Sequence, residues 1–164
     1  MNQRDLPPED AREAVVRRYG AMVYRLARSQ VRRRCDAEDI FQEVFLRYFR
    51  AEEEFSSEEH RRAWLLRVTA NCAKKYWASA WVRHTVPLEE DMEDVAAPGE
   101  EGRALWEAVQ ALPGKYRAVL HLFYYEDLSA EEIGRLLGEK SATVRTRLTR
   151  ARRLLKQRLE EDGL

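Results

Sequence analysis

The sequence predicts an all-α protein with two small helical domains joined by an acidic linker. Apolar residues recur at helical spacing along most of the chain, and no stretch alternates like a half-buried strand. The segment 85–101 carries seven acidic residues, no basic ones, two prolines and a glycine, which is typical of a linker. The segment 128–159 has the order of caps, turn and apolar positions that indicates a helix-turn-helix motif.

Length and composition favour a soluble cytoplasmic protein. The chain has 164 residues, of which 45% are hydrophobic, enough to give each of two small domains a packed core. We find no secretory signal at the N-terminus and no apolar run as long as a membrane span. Cys35, Cys72 and three scattered histidines lack the spacing of metal ligands, so we expect reduced cysteines, no metal and no cofactor.

The net charge of zero hides an uneven distribution of charged residues. Residues 1–84 carry 17 basic and 13 acidic groups, 85–102 carry 7 acidic groups and no basic one, and 103–164 carry 12 basic and 9 acidic groups. Two mildly basic regions therefore flank an acidic strip, so the overall neutrality does not exclude nucleic acid as a partner. We place the two domains at 1–84 and 102–164, with the linker at 85–101.

Three helices are predicted in the first domain. They cover residues 9–34, 36–50 and about 58–81, and residues 51–57 form a loop between the last two. Asp36 is a candidate N-cap for the second helix, because a short acidic side chain can accept a hydrogen bond from the first free backbone amides.

Charged residues at two places in this domain have both a structural and a functional interpretation. Asp39, Gln42 and Glu43 lie away from the centre of the apolar face of helix 36–50, either as an ordinary wet face or as a partner surface. The consecutive arginines at 32–34 either stabilise a helix end through its dipole or contact phosphate, and the sequence favours neither interpretation.

The third helix mixes basic, aromatic and amide side chains. Basic residues interleaved with aromatic ones suit single-stranded nucleic acid, because bases stack on rings while lysines meet phosphates. The alternative is that the rings belong to the core. We expect Trp64 and Trp77 in the core, and Asn71 and Lys74 at the surface.

The helix-turn-helix has recognisable boundaries. Ser129 and Glu132 form a capping box, Gly138 suits the left-handed turn that ends the first helix, and Ser141 can cap the second. Residues 140–158 contain eight Lys or Arg and no Asp or Glu. A solvated basic face on an ordinary helix hairpin would explain the charge alone. The caps, the turn and the acid-free second helix together favour binding in the major groove of DNA.

With these segments in place, the chain resembles the sigma factors of the extracytoplasmic-function type (group four), which are minimal bacterial initiation factors. Its first domain is similar to their promoter-melting domain through DAEDIFQEVFLRYFR at 36–50 and WLLRVTANCAKKYW at 64–77. Its second resembles the domain that binds the upstream promoter element, through ALPGKYRAVLHLFYYEDLSAEEIGRLLG at 111–138 and TVRTRLTRARRLL at 143–155. The order of these four segments, with a linker where the family has one, carries the resemblance.

The resemblance implies roles for matched positions. They are Asp39, Gln42 and Glu43 for docking on core RNA polymerase, Asn71, Lys74 and Lys75 for the minus-ten element, and Thr143, Arg145, Thr146, Arg147, Thr149 and Arg150 for the upstream element. Asn71 matches the residue that receives a flipped base, whose polar edge an amide can read, and the loop 51–57 matches the wall of that pocket. Thr143 and Arg147 match phosphate contacts. The implied partners are core RNA polymerase, promoter DNA and an anti-sigma factor, without membrane insertion.

The chain departs from the family pattern at three places. Glu139 and Lys140 stand in the turn where an apolar residue and a proline are common, so the angle of the recognition helix cannot be copied from relatives. Thr149 replaces a larger residue, which leaves the preferred upstream sequence open. The loop is unusually acidic at 52–54, which bears on base choice.

Two other classes of protein fit parts of the sequence. A stand-alone DNA-binding regulator, such as a dimeric repressor or activator, would use the helix-turn-helix but has no need of Asn71 and Lys74 beside an acidic helix. An enzyme is not favoured, because the acidic residues are dispersed or in the linker, no glycine-rich phosphate loop is present, and neither cysteine has an evident base.

Overall fold

The computed structural model describes residues 8–83 and 100–161, and every regular element in these two ranges is an α-helix. The first lobe contains α1 (Pro8–Gln30), α2 (Arg34–Arg50) and α3 (Glu58–Arg83), and the second contains α4 (Glu100–Gln110), α5 (Gly114–Tyr124), α6 (Ala130–Leu137) and α7 (Ser141–Glu161). The all-α prediction is confirmed. The predicted linker lies outside the described residues except for its last two positions, which begin α4. No helix in the described ranges is long and apolar enough to cross a membrane.

The boundary between the first two helices differs from the prediction. The helix expected at 9–34 ends at Gln30, where Arg28 donates hydrogen bonds to the Val31 and Arg32 carbonyl oxygens at 3.0 and 2.9 Å. These bonds satisfy carbonyls beyond the end of α1, where no further helical turn supplies donors. The next helix begins at Arg34, so Asp36 lies inside its first turn and is not the N-cap. There its charge still interacts favourably with the helix dipole.

The core of the first lobe comes from the apolar stripes of its three helices. Its most deeply buried large side chains are Val23, Leu26, Ile40, Val44, Leu65 and Leu66. Beside this core, Phe55 of the loop stacks on Tyr48 with ring centroids 5.6 Å apart, and Trp64 meets both rings edge-on. The aromatic contact fixes the loop 51–57 against α2 and α3. Trp64 is half-buried in this layer, whereas the side chain of Trp77 is outside the described part of the structure.

The helix-turn-helix forms as its sequence predicts at two of three boundaries. The side chains of Ser129 and Glu132 each accept a hydrogen bond from the other's backbone amide, both at 3.1 Å. Gly138 ends α6 with φ of 71°, a left-handed conformation that glycine adopts without strain. The third boundary differs: Ser141 is the first residue of α7, and its hydroxyl accepts a hydrogen bond from Arg145 at 3.3 Å.

A close backbone approach sets how α7 follows α6. The amide of Glu139 donates to the Gly134 carbonyl oxygen at 2.8 Å, so the turn lies directly against the helix before it. A Cβ atom at Gly134 would lie 2.6 Å from the Glu139 carbonyl oxygen, closer than real Cβ contacts allow. Gly134 is therefore required by this turn, and the turn in turn positions the recognition helix.

The two lobes meet along α1 and α3 of the first and α5 and α6 of the second. Glu126, whose side chain is only 3% exposed, lies between them and pairs with Arg25 at 3.3 Å and Arg62 at 3.1 Å from the first lobe. His121 of its own lobe lies 3.3 Å away. Burial opposes ionisation of this carboxyl, but the neighbouring His121 ring and the hydrogen-bonded guanidinium of Arg25 hold its pKa below the ordinary value.

A second buried contact joins the lobes through Arg117. Its guanidinium donates to the carbonyl oxygen of Gln30 at 2.8 Å and to those of Gln110 and Leu112 at 3.0 and 2.6 Å. Burial, with the nearby charge of Arg32, lowers the pKa of Arg117 to about 10, so the side chain is still charged at neutral pH. One arginine thus satisfies backbone acceptors at the end of α1 and after α4.

Candidate nucleic-acid and polymerase interface

The recognition helix α7 has one buried and one accessible face. Val144, Leu148 and Ala151 are 0–3% exposed and hold it against the rest of the second lobe. The predicted upstream-element residues lie elsewhere on the helix: Arg145, Thr146, Thr149 and Arg150 are exposed, and Thr143 and Arg147 are half-buried beside them. All six side chains are therefore within reach of a ligand in solution.

The exposed threonines of this face are hydrogen-bonded to their own helix. Thr146 and Thr149 donate their hydroxyl protons to carbonyl oxygens of their own helix, at 3.0 Å each. Each keeps acceptor capacity on its oxygen and a methyl group that can pack on thymine.

The arginines pair with acidic residues that precede α7. Arg145 Nη1 lies 2.8 Å from Glu131 Oε1, and Arg147 Nη2 lies 3.1 Å from Glu139 Oε1. The pKa of Glu131 is lowered by a backbone hydrogen bond and by Arg145. Sequence analysis missed both acids as partners. The only available signal was that each stands close in sequence to an otherwise acid-free basic helix.

The predicted polymerase-docking residues lie on one exposed strip of α2, which also includes a leucine. The strip consists of Asp39, Gln42, Glu43 and Leu46 at helical spacing. Glu43 pairs with Arg47 at 2.8 Å, and Asp39 accepts a hydrogen bond from Tyr76 at 2.8 Å. Leu46 is 46% exposed although it is large and apolar. Its position next to the acids, readable from the periodicity, makes it a further candidate contact.

The predicted minus-ten residues are exposed on α3, as expected for Asn71 and Lys74, and Lys75 is exposed beside them. A separate open groove of about 540 Å³ lies beside the loop 51–57, and its lining includes the side chain of Arg61. Asn71 does not line this groove. It lies ten residues further along the helix, a rise of about 15 Å. This groove is therefore not formed with Asn71, and the base pocket that the resemblance assigns to Asn71 and the loop stays a prediction.

The groove combines rings and guanidinium groups from distant parts of the first lobe. Arg12 of α1 lies over the Phe49 ring at 5.3 Å, and Arg61 lies over Phe55 at 5.2 Å. Arginine and aromatic surfaces of this kind suit stacked bases, whereas Glu53 and Glu54, which also line the groove, oppose phosphate. Arg12 and Phe49 are 37 positions apart, so only the tertiary fold reveals their pairing.

A metal site finds no support in the described part of the chain. No three His, Cys, Asp or Glu side chains converge there as a metal ion would require. Cys35 is exposed and Cys72 buried, and both are free thiols. Burial raises the pKa of the Cys72 thiol, which keeps this side chain protonated and unreactive at neutral pH.

Family comparisons divide the chain as the lobes do. Residues 15–83 match the family described as Sigma-70 region 2, and residues 102–155 match Sigma-70, region 4. These two matches define a protein of the sigma-70 class that carries regions 2 and 4.

Relatives narrow the class to one family. The chain is 35% identical over 161 residues to the ECF RNA polymerase sigma factor SigE of Mycolicibacterium smegmatis. The matched region covers 92% of this chain and 62% of SigE. In Bacillus subtilis the chain is 30% identical to the sigma factor SigV, covering 86% of both chains, and 30% identical to the ECF sigma factor SigW, covering 93% of this chain and 91% of SigW. The chain belongs to the ECF (extracytoplasmic-function) RNA polymerase sigma factors, and as such it directs promoter recognition with RNA polymerase.

Two solved structures share the fold. The sigma factor RpoE of Bartonella quintana, in complex with the anti-sigma factor NepR, has a TM-score of 0.70 at 19% identity, covering 90% of this chain and 96% of that chain. CnrH, in complex with the cytosolic domain of CnrY, has a TM-score of 0.67 at 24% identity, covering 94% and 90%. At these identities the similarity supports the arrangement of helices and assigns no residue a role.

Proposed function

We propose that this sigma factor divides initiation between its lobes. The first lobe docks on core RNA polymerase through α2 and holds melted DNA through α3, and the second reads the upstream element through α7. The observation that carries the proposal is the contrast between two exposed helix faces. The accessible face of α7 is basic, with no Asp or Glu from 140 to 158, whereas the strip on α2 is acidic with an exposed leucine.

The α7 face has the chemistry of duplex recognition. Arg145 and Arg150 are exposed, and a guanidinium can donate two hydrogen bonds to guanine in the major groove. Arg147 and Thr143 flank them at half-buried positions, where phosphate contacts would fix the register of the helix on DNA.

The α3 surface has the chemistry of strand opening. Asn71 is exposed and its amide offers both a donor and acceptors to the edge of an extruded base. Lys74 lies one turn away and can neutralise the phosphates that follow. Because the groove at Arg12 and Phe55 is separate, we propose that it stacks a different base of the same melted strand.

The α2 strip has the chemistry of a protein interface. Acidic side chains suit a basic partner surface and repel DNA, and an exposed leucine beside them supplies an apolar anchor. We therefore assign Asp39, Gln42, Glu43 and Leu46 to core polymerase.

The remaining parts of the proposal follow from membership of the family. We propose that the chain acts in the cytoplasm, where RNA polymerase works, and has no catalytic chemistry of its own. RpoE of Bartonella quintana was solved with the anti-sigma factor NepR, and we propose that an anti-sigma factor also restrains this chain.

The experiment that tests the docking surface reverses one charge on it. Glu43→Lys should lower affinity for core polymerase by at least about tenfold, because loss of a charge at a desolvated interface costs 2 kcal/mol or more. Lysine is a good helix former, so helicity should survive. Titration of labelled chain with purified core polymerase measures the affinity, and circular dichroism checks the helix.

Glu59→Lys is the matched control, since it makes the same charge change at an exposed position of α3 in the same lobe. It should leave polymerase affinity within about twofold, as expected of an exposed position outside the interface. Equal losses from the two variants, or unchanged affinity of Glu43→Lys, would show that α2 is not the docking helix.

A further inference from the structure

Two carboxylates lie against the arginines with which α7 is expected to meet DNA. Glu131 of α6 holds Arg145, which also donates to the Ser141 hydroxyl, so two bonds fix this guanidinium before DNA arrives. Glu139 of the turn holds Arg147. The basic helix therefore has fewer unpaired positive charges than its sequence suggests.

The two pairs differ in how firmly they are held. The side chains of Arg145 and Glu131 are 56% and 61% exposed, so water screens their attraction and this ion pair is the weaker of the two. Those of Arg147 and Glu139 are 23% and 32% exposed, and the backbone of Glu139 is fixed against Gly134. The second pair is the more persistent of the two.

The pairs have opposite consequences for specific and non-specific DNA. Non-specific affinity comes from neutralising phosphates, and a carboxylate beside each arginine subtracts from it. A bidentate base contact instead needs a guanidinium held in one orientation, which the bonds to Glu131 and Ser141 provide in advance.

We propose that Glu131 and Glu139 are specificity-determining residues for the upstream element. Glu131 orients Arg145 towards the base edges, and Glu139 restrains Arg147 so that DNA without the element binds weakly. This inference rests on the proposed role of α7.

The experiment measures promoter binding by the assembled holoenzyme. The probes are a promoter fragment that the holoenzyme transcribes and the same fragment with its upstream element scrambled. Glu139→Gln should raise affinity for the scrambled fragment about two- to fivefold, the scale of a partly exposed ion pair. Its salt dependence on that fragment should steepen by up to about 0.9 in log–log slope, equal to one phosphate contact.

Glu131→Gln should act mainly on affinity for the matched fragment. With Arg145 less constrained, affinity for the matched fragment should fall about two- to fivefold, while affinity for the scrambled fragment stays level or rises. Affinity of Glu139→Gln for the matched fragment should change less, because base contacts already hold α7 in register there, so both variants lower the ratio of matched to scrambled affinity. Glu160→Gln, which removes one negative charge near the far end of the same helix, should leave the ratio unchanged.

A double-mutant cycle separates action through the arginine from a general charge effect. In an Arg147→Ala background, Glu139→Gln should change neither affinity, because its partner is absent. A full effect of Glu139→Gln in that background, or equal effects of all three glutamate variants on both fragments, would overturn the inference.

The same measurements test the specificity role of the two acids separately from the proposed reading of the upstream element by α7. If the unmodified holoenzyme does not discriminate between the two fragments, the reading of the upstream element by α7 is wrong, and the inference is wrong with it. If it discriminates and the Glu131 and Glu139 variants discriminate equally well, only the specificity role of the two acids is refuted.

Discussion

The helix-turn-helix and the first-lobe surfaces present their functional side chains in different ways. In the second lobe, the arginines of α7 are held by residues of α6, the turn and their own helix, none more than 14 positions away. In the first lobe, the groove beside the loop 51–57 joins Arg12 of α1 to Phe49 of α2, and Asp39 pairs with Tyr76 of α3.

The contrast separates a locally built site from a tertiary one. A capping box, a left-handed glycine and a close backbone approach assemble the helix-turn-helix from short-range contacts. The first-lobe surfaces exist only after three helices have packed. We therefore expect single local changes to disturb the second lobe's site, whereas the first lobe's site depends on the whole core.

The largest predicted effect in this comparison comes from Gly134→Ala. Its methyl group would lie 2.6 Å from the Glu139 carbonyl oxygen, which is backbone and cannot rotate away. We expect a loss of about 1–3 kcal/mol in the free energy of unfolding, the usual range for overpacking, despite alanine's better helix propensity. Chemical denaturation measures it, and upstream-element binding should weaken because α7 is displaced.

Gly20→Ala provides the control in the first lobe. Its methyl group would meet the Phe41 ring at 3.5 Å, an ordinary contact, inside the continuous helix α1. This variant should be neutral or more stable by up to about 1 kcal/mol, because alanine is the better helix former. A stable Gly134→Ala with unchanged DNA binding would contradict the local account of the second lobe.

Features that depend on residues close together in the sequence were predicted best. The capping box at Ser129 and the turn at Gly138 were predicted correctly because their chemistry involves residues at most four apart. The end of α1 at Gln30 was missed, because Arg28 closes it through a side chain with several possible partners. Helix propensity alone does not show which of these two helix ends can be predicted.

The candidate site shows the same limit. Exposure of the α7 arginines followed from helical periodicity, but their pairing with Glu131 and Glu139 depends on the angle between α6 and α7. The burial of Glu126 between lobes could not be predicted, because an acid after a helix is usually solvated. Both features depend on tertiary geometry.

A smaller effect is expected where the two lobes meet. Glu126→Gln removes a buried charge that faces Arg25 and Arg62, and should cost about 1–2 kcal/mol at neutral pH, since these arginines are partly exposed to water. Thermal unfolding of both proteins between pH 7 and pH 3 measures the difference, with Glu107→Gln in α4 as an exposed control.

The pH dependence of that difference follows from the direction of the pKa shift. The pKa of Glu126 is lowered from its ordinary value of 4.5, so the ionised form stabilises the folded chain. Its contribution is complete above the unfolded pKa and is lost as pH falls through the folded pKa. The gap between the original chain and Glu126→Gln should therefore shrink as the pH falls below about 4.5. A gap that is as large at pH 3 as at pH 5 would contradict this assignment.

The central claim is that the two lobes perform separate steps on promoter DNA. Asn71→Ala should impair opening, because extruding a paired base costs a few kcal/mol that its pocket must offset. Arg150→Ala should impair duplex recognition, by about 1–3 kcal/mol for a bidentate base contact. A template with a mismatched minus-ten region is already partly open, so it reduces the cost of extruding the base. It does not replace the upstream contact that Arg150→Ala removes.

Run-off transcription with both variants on duplex and mismatched templates, at one salt concentration, tests the claim most directly. We predict that Asn71→Ala transcribes poorly from the duplex and recovers partly on the mismatched template, whereas Arg150→Ala stays impaired on both. Equal rescue of the two variants, or rescue of Arg150→Ala alone, would contradict the division of labour between the lobes.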